Sequence, residues 1–271
     1  MVEVNNVTKL AITGNTKLTL QSMKEILSLG NYHISHVFGL SDENIEKKVN
    51  SVDLTTFCEE NNIILDQSED WDNFYDMCVE KEIDMVVTLG DSRIIPSNIV
   101  NSFNTIGNHG AVLPDVQGGA SLVWGRLLNN GSWGISIMEI GEKVDTGDIL
   151  KIKRFSYSDD TTEEDFTNMA DKLTTEALIE VLEGDYEVTP NNKWAVRVRK
   201  HSDSLKAIQV MKTCVENNIP IYMPPRIPQD AKIKDEWPLD FVETFRIANN
   251  KPYPRCFRTQ DWYTSELNKT E

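Results

Sequence analysis

The sequence predicts an α/β protein: a doubly wound, mainly parallel sheet, followed by a smaller C-terminal α+β region. Three observations carry that expectation. Strand-like and helix-like segments alternate through residues 7–182, the pattern of stacked βα units. One strand-like run, residues 84–89 (DMVVTL), is mostly apolar, as a parallel strand covered on both faces should be. A length of 271 residues with 39% hydrophobic composition suffices for one substantial domain and a smaller one.

The elements follow in order. Residues 7–13 (VTKLAIT) read as the first strand, ended by Gly14, and a helix runs from about residue 17 to Leu29, stopped by Gly30. Gly14 stands alone, without the GxGxxG of a dinucleotide site. Residues 32–39 form a second strand, with His33 and His36 expected at its edge and without a chemical role. A polar helical stretch covers residues 42–61, a short strand 63–65, and a helix 71–81 with Phe74, Met77 and Cys78 turned inward. After the apolar strand comes the loop Gly90-Asp-Ser-Arg93-Ile-Ile-Pro96. It leaves the strand at its carboxyl end, where open α/β sheets bind ligands. Residues 103–106 end another strand, 120–128 form a helix, and 134–140 alternate apolar and polar as a strand does. A strand-like stretch at 150–157 precedes Thr161 and Thr162, which stand ahead of Glu164 and Asp165 as a capping signal. The helix that follows buries Phe166, Met169, Leu173, Ala177 and Val181, and Gly184 ends it. The domain boundary is therefore expected there, with residues 1–184 as the first domain and 185–271 as the C-terminal region.

Composition narrows the function classes. The net charge of −16 argues against wrapping a nucleic acid, which calls for a basic face. The opening MVEVNNVTKL lacks the charged and apolar regions of a signal peptide, and no run approaches the ~20 apolar residues of a membrane span. A cytoplasmic protein without membrane contact is expected. Cys58, Cys78, Cys214 and Cys256 are far apart, without CxxC spacing, and read as free thiols. His33, His36, His109 and His201 make no HExxH or Cys/His cluster, so no metal site is expected.

The chemistry concentrates in residues 105–149. Asn108 and His109 stand at the end of the 103–106 strand, and Asp145 stands in the turn Asp145-Thr-Gly-Asp148 beyond the 134–140 strand. This layout brings an imidazole and a carboxylate together. A carboxylate beside an imidazole fixes its tautomer, and the imidazolium form stabilises a developing oxyanion. The carboxylate, or a water it holds, takes the proton from an attacking amine. An asparagine amide would add a second oxyanion donor. The set suits acyl transfer without a covalent intermediate, although a hydrogen-bonded scaffold histidine and an ordinary turn would also fit the spacing.

The ordered pattern His109-Gly-Ala-Val-Leu113-Pro114, Gly118, Trp124, Gly134-Ile-Ser136, Val144-Asp145-Thr-Gly147-Asp-Ile149 resembles the signature of the folate-dependent formyltransferases. These include the methionyl-tRNA, glycinamide ribonucleotide and nucleotide-linked amino sugar formyltransferases. The resemblance covers roughly residues 10–182 and is densest over 85–149. It implies a Rossmann-like domain of the formyltransferase type and N10-formyltetrahydrofolate as co-substrate, with His109 and Asp145 in the family's histidine and aspartate positions. It also implies that the 90–96 loop holds the pterin ring, with Ser92, Arg93, Ile94 and Ile95 as its neighbours and Gly141 and Val144 on the opposite wall. On residue type alone, Arg93 equally suits a salt bridge within its loop. One position departs from the family. The asparagine usually two residues before the histidine is Gly107 here, and Asn108 adjoins the histidine instead. Neighbours on a regular strand face opposite sides, so Asn108 joins His109 only where the backbone bulges or turns.

Downstream, residues 194–198 are strand-like, 203–216 and 239–248 helical, and 223–238 irregular. Pro225-Arg226, Pro228, Asp230, Ile233, Arg246-Ile-Ala248 and Pro252-Tyr253-Pro254 resemble the downstream region of sugar and tRNA formyltransferases, and also fit plain packing. Trp194, Trp237 and Tyr253 suit either stacking on a base or burial. The acceptor implied is the amine of a nucleotide-linked amino sugar, its diphosphate met by Arg226 or Arg246. A charged tRNA, or a non-catalytic folate- or sugar-binding role, is the alternative. The assembly state stays open, a homodimer included.

Overall fold

The computed structural model describes residues 7–198, 203–253 and 255–257. In chain order the elements are β1 (Thr8–Thr13), α1 (Lys17–Ser28), β2 (Tyr32–Phe38), α2 (Asp42–Lys47), α3 (Thr55–Glu60), β3 (Ile64–Asp66), α4 (Trp71–Glu80), β4 (Met85–Thr88), α5 (Ser97–Ser102) and β5 (Asn104–His109). Then come β6 (Val116–Gly118), α6 (Ser121–Leu128), β7 (Ser132–Glu139), β8 (Ile149–Ser156), α7 (Glu163–Leu182), β9 (Val196–Arg197), α8 (Ser204–Glu216), β10 (Ile221–Met223) and α9 (Leu239–Ala248). A seven-stranded sheet has the order β3-β2-β1-β4-β5-β7-β8, and a three-stranded sheet the order β6-β10-β9.

In the large sheet β3, β2, β1, β4 and β5 are parallel, and β7 runs antiparallel to β5. The strand order reverses between β1 and β4, the doubly wound arrangement expected, and ligands in such sheets bind beyond the strand ends at the reversal. The side chains explain the layering. Leu10, Ala11, Ile12, Val37, Phe38, Val86 and Val87 are all fully buried, so both faces of these strands need cover. On one face Ala11, Phe38 and Val86 pack with Phe74 and Cys78 of α4 and Ile99 of α5. Helix α1 starts on a reciprocal cap, in which the Thr16 hydroxyl accepts from Thr19 N–H and the Thr19 hydroxyl accepts from Thr16 N–H.

The chain divides into two compact units, each drawn from three segments: 1–109, 136–152 and 171–191 in the first, and 110–135, 153–170 and 192–271 in the second. The boundary expected at Gly184 thus falls inside the last segment of the first unit. The second unit contains the small parallel sheet, with Ile221 paired to both Val116 and Val196. It also holds an aromatic cluster of Trp237, Phe241 and Phe245. Trp237 is buried there, so it packs the core and offers no face for stacking. Trp194 is 78% exposed. His201 and Pro254 lie outside the described residues.

Two expectations change. The helix expected over residues 42–61 is broken into α2 and α3, because the stretch between them pairs with the start of α1: Val52 N–H donates to the Asn15 carbonyl at 2.9 Å, and Ser51 bridges Thr16. His36 is not at a sheet edge. β2 lies between β1 and β3, and His36 is fully buried against Phe74 with its Nε2 3.5 Å from the Cys78 sulfur.

Burial lowers the His36 pKa to about 4, so the fold holds a neutral imidazole. In the second unit, burial pushes the Glu163 carboxyl up to about 9, and both of its oxygens are without a hydrogen-bond partner among the described residues. The two linkages have opposite signs. Stability from His36 is present above its unfolded pKa and is lost as pH falls from about 6.5 towards 4, by about 3 kcal/mol. Stability from Glu163 is present below its unfolded pKa and is lost as pH rises from about 4.5 towards 9. Urea unfolding across pH 4–9 should show the acid slope missing in His36→Leu and the alkaline slope missing in Glu163→Gln. Unchanged slopes would refute the assignments.

Candidate active site

His109 is the last residue of β5, so the sheet itself fixes its backbone at a carboxyl edge. Its pairing with Ser136 of β7, and that of Ile106 with Glu139, set a geometric problem. Because β7 runs the opposite way, it delivers the chain to the 140–148 connection at the level of Ile106, about 10 Å back along the strand from His109. The connection must double back, and it does. The Asp145 carboxylate Oδ1 lies 3.4 Å from His109 Nδ1, with the side chains only 7% and 8% exposed.

The turn that achieves this is tightly specified. Ile140 N–H donates to the Thr105 carbonyl at 2.8 Å, and Glu139 N–H to the Asp148 carbonyl at 2.9 Å. Asp145 takes a left-handed backbone, φ +56°, which aspartate tolerates better than most side chains. A Cβ at Gly147 would lie 1.8 Å from the Glu139 carbonyl oxygen, so no side chain fits there. Thr146 closes the turn through its hydroxyl to the Lys143 carbonyl at 2.9 Å. Asn191 then reaches in from beyond α7. Its Nδ2 donates to the Asp145 carbonyl at 2.8 Å, and its N–H to the Asp148 carboxylate at 3.2 Å. The sequence offered no signal for Asn191, which sits in an irregular Pro190-Asn-Asn192 stretch.

Asn108 does not join His109, and its expected role as second oxyanion donor is corrected. The β5–β7 register runs through Asn108 and His109 without a shift, so the bulge that would bring them to one side is absent. The Asn108 carboxamide oxygen accepts instead from Gly90 N–H at 2.9 Å. Gly107 has a steric cause. A Cβ there would lie 2.3 Å from Thr88 Cγ2 and 2.7 Å from Ile140 Cδ1, so a side chain at this position would require Thr88 and Ile140 to shift.

The Asn108–Gly90 bond also ties the start of the 90–96 loop to the strand that ends in His109. Within that loop the Arg93 guanidinium turns inward. It binds the fully buried Asp91 carboxylate through Nη2 at 2.7 Å and Nε at 3.1 Å, and donates to the Gly39 and Phe38 carbonyls at 2.8 Å. It also stacks on the Phe38 ring at 4.4 Å. Lys48 adds a hydrogen bond to the Gly90 carbonyl at 3.1 Å, and burial holds its ammonium below the usual lysine range. Arg93 is thus the loop's internal fastener, the salt-bridge reading of its sequence, and its side chain is turned away from any ring outside. Ile95 packs on the core cluster. Ser92 is exposed, Ile94 is 75% exposed, and Val144 is 50% exposed. Gly141 is half-buried.

In the second unit the Arg226 guanidinium is bonded through one nitrogen, while its buried Nη1 has no hydrogen-bond partner among the described residues. Its Nη2 donates to the Asp230 carbonyl at 3.1 Å and to Asn249 Oδ1 at 2.8 Å, and the guanidinium lies over Trp124 at 4.7 Å. Burial lowers its pKa to about 10. Arg246 is exposed, 3.7 Å from Glu243. No group of three or more histidine, cysteine, aspartate or glutamate side chains suited to a metal occurs among the described residues. No helix among them is long and apolar enough to cross a membrane.

The formyl transferase family profile matches residues 10–182, and the chain belongs to that family. Among curated relatives, the methionyl-tRNA formyltransferase of Mycoplasma mycoides is 23% identical over 209 residues, 74% of this chain and 66% of that protein. The chain spans between 33% and 66% of the length of the curated relatives it matches. Among solved structures, a sugar N-formyltransferase from Shewanella superposes with a TM-score of 0.66 at 13% identity, over 94% of each chain. An N-formyltransferase from Helicobacter canadensis, solved with folinic acid and dTDP-3-aminofucose, gives 0.60 at 17% identity over 89% of this chain and 80% of that one.

The fastener makes a prediction. Arg93→Met leaves the buried Asp91 carboxylate with only Lys48, 4.0 Å away, as a cation and should cost about 3 kcal/mol in urea unfolding. Adding Asp91→Leu should recover much of the loss. An Arg93→Met protein as stable as the wild type would remove this role.

Proposed function

We propose that the chain is an N-formyltransferase that moves a formyl group from N10-formyltetrahydrofolate to the amine of a nucleotide-linked amino sugar. The observation that carries it is the His109–Asp145 pair at the carboxyl end of β5, in a chain of the formyl transferase family. The folate fits what surrounds that end. The 90–96 loop is fixed from within by Arg93 and Asp91 and joined to β5 through Asn108, while Ser92 and Ile94 face outward. A rigid backbone edge with apolar side chains suits a flat heterocycle, since nothing has to be ordered on binding. Val144 and Gly141 are the second set of neighbours in this reading.

When bound, the co-substrate supplies a formyl carbon already activated on nitrogen. Asp145 holds His109 with a proton on Nδ1, which leaves Nε2 as the free base. Nε2 accepts the proton the amine gives up as its nitrogen bonds to the formyl carbon. The resulting imidazolium lies beside the developing oxyanion, and returns the proton to the departing folate nitrogen. With Asn108 turned away and Gly107 without a side chain, His109 carries more of the oxyanion than in a site with the usual asparagine.

A sugar acceptor is favoured over a tRNA by the net charge of −16, and sugar N-formyltransferases superpose over nearly the whole chain, as a methionyl-tRNA formyltransferase also does. The curated relatives are methionyl-tRNA formyltransferases, so a charged tRNA is the second reading.

Purified protein with N10-formyltetrahydrofolate should formylate one or more 3-amino or 4-amino nucleotide sugars. The rate should rise as the acceptor amine loses its proton, near pH 8 for an amine of α-amino type. His109→Ala and Asp145→Ala should each lower turnover at least ~100-fold with the fold retained. Formylation of methionyl-tRNA and of no sugar would overturn the acceptor. Normal turnover in either folded variant would overturn the mechanism.

A further inference from the structure

We propose that Asn191 is a positioning residue for the reaction, which holds Asp145 where it can orient His109; the proposal rests on the function proposed above. Asn191 lies beyond residues 10–182, the part matched by the family profile.

Three observations converge on it. First, Asn191 makes a side-chain hydrogen bond to the Asp145 backbone, Nδ2 to carbonyl at 2.8 Å, in a buried setting. A left-handed aspartate has no regular secondary structure to keep it there, and its carbonyl is one of the groups whose direction defines the conformation. Second, the strap that carries Asn191 is anchored on both sides of that bond. Thr189 exchanges both backbone hydrogen bonds with Ile149 at 2.8 Å, and Asn191 N–H reaches the Asp148 carboxylate. The strap is thus registered on the first residue of β8, four positions past Asp145 in the chain. Third, Asn191 is 8% exposed and its Oδ1 is buried without a partner among the described residues. The amide is not free to reverse, because its Nδ2 must face a carbonyl. A buried acceptor left unpaired is unfavourable, and it persists here because the donor end of the same amide is needed. A residue chosen only to fill space would be apolar at this position.

The consequence for chemistry is geometric. The Nδ1–Oδ1 separation of 3.4 Å is at the long end for a hydrogen bond, so a small rotation of the Asp145 turn decides whether the carboxylate still controls the imidazole. Asn191 sets that rotation without facing the reacting atoms.

The test uses Asn191→Ala, Asn191→Asp and, as a control on the strap, Thr189→Ala, whose exposed side chain makes none of these bonds. The first readout needs no substrate: nitrogen NMR of the His109 ring at neutral pH. The wild type and Thr189→Ala should show the proton on Nδ1. Both Asn191 variants should shift towards the Nε2-protonated form that free imidazole prefers, Asn191→Asp further, because its carboxylate repels the Asp145 carbonyl. The second readout is kinetic: kcat should fall on the order of 100-fold in the Asn191 variants, with KM for folate and amine little changed and the melting temperature close to wild type. An unchanged tautomer overturns the proposal, whatever happens to kcat. A tautomer shift in a protein that formylates no amine leaves the positioning role standing and removes the function it was meant to serve.

Discussion

The site depends on one constraint: β7 runs antiparallel to β5. A parallel neighbour would have released the chain at the same end as His109, and a short loop could have presented a carboxylate directly. Here the chain leaves at the opposite end, opposite Ile106, and must return over the length of the strand. Everything unusual in residues 139–148 follows from that return. The left-handed Asp145, the bare Gly147 and the backbone bonds at Ile140 and Glu139 are what a nine-residue excursion needs in order to end at a defined point. The cost is a carboxylate beside His109 that lies outside the regular sheet, where hydrogen bonds from elsewhere help keep it in place.

The loop beyond β4 solves a related problem differently. Its buried Asp91–Arg93 pair is internal to the loop, and the cation is shared with carbonyls from the end of β2. One loop is therefore fixed by a charge pair within itself and the other by a strap from downstream. Both are fixed before any ligand arrives, which suits a bimolecular transfer in which two substrates must be aligned on one pair of residues.

Much of this was legible in the sequence. The alternation of strands and helices and the apolar run at 84–89 gave the doubly wound sheet, because burial on both faces leaves no choice of residue type. His109 and Asp145 were legible because their neighbours form an ordered pattern with fixed intervals. What could not be read was decided by contacts between distant segments. Asn108 looked like a partner of His109 because the two adjoin in sequence, yet a regular register sends it to Gly90. Gly107 looked like a missing asparagine, and only the distances to Thr88 and Ile140 show that a side chain there would displace its neighbours. His36 looked like an edge residue because β3, a strand of three residues, hardly registers as a neighbour. The short strands β6 and β10 had no local signal, since each exists only through the other.

The discontinuous make-up of the first unit has a consequence for the order in which the protein is assembled during synthesis. The strand that ends in His109 is complete early, and the parallel strands beside it can collapse as soon as they emerge. The turn that carries Asp145 follows some thirty-five residues later, still without its clasp. Asn191 is the last residue of the unit's last segment, so the fixing of the carboxylate waits until that residue has left the ribosome. A nascent chain therefore gains its folded sheet well before the Asp145 turn gains its bond to Asn191, and the 90–96 loop, closed within residues 38–108, is set before the carboxylate that comes to face His109.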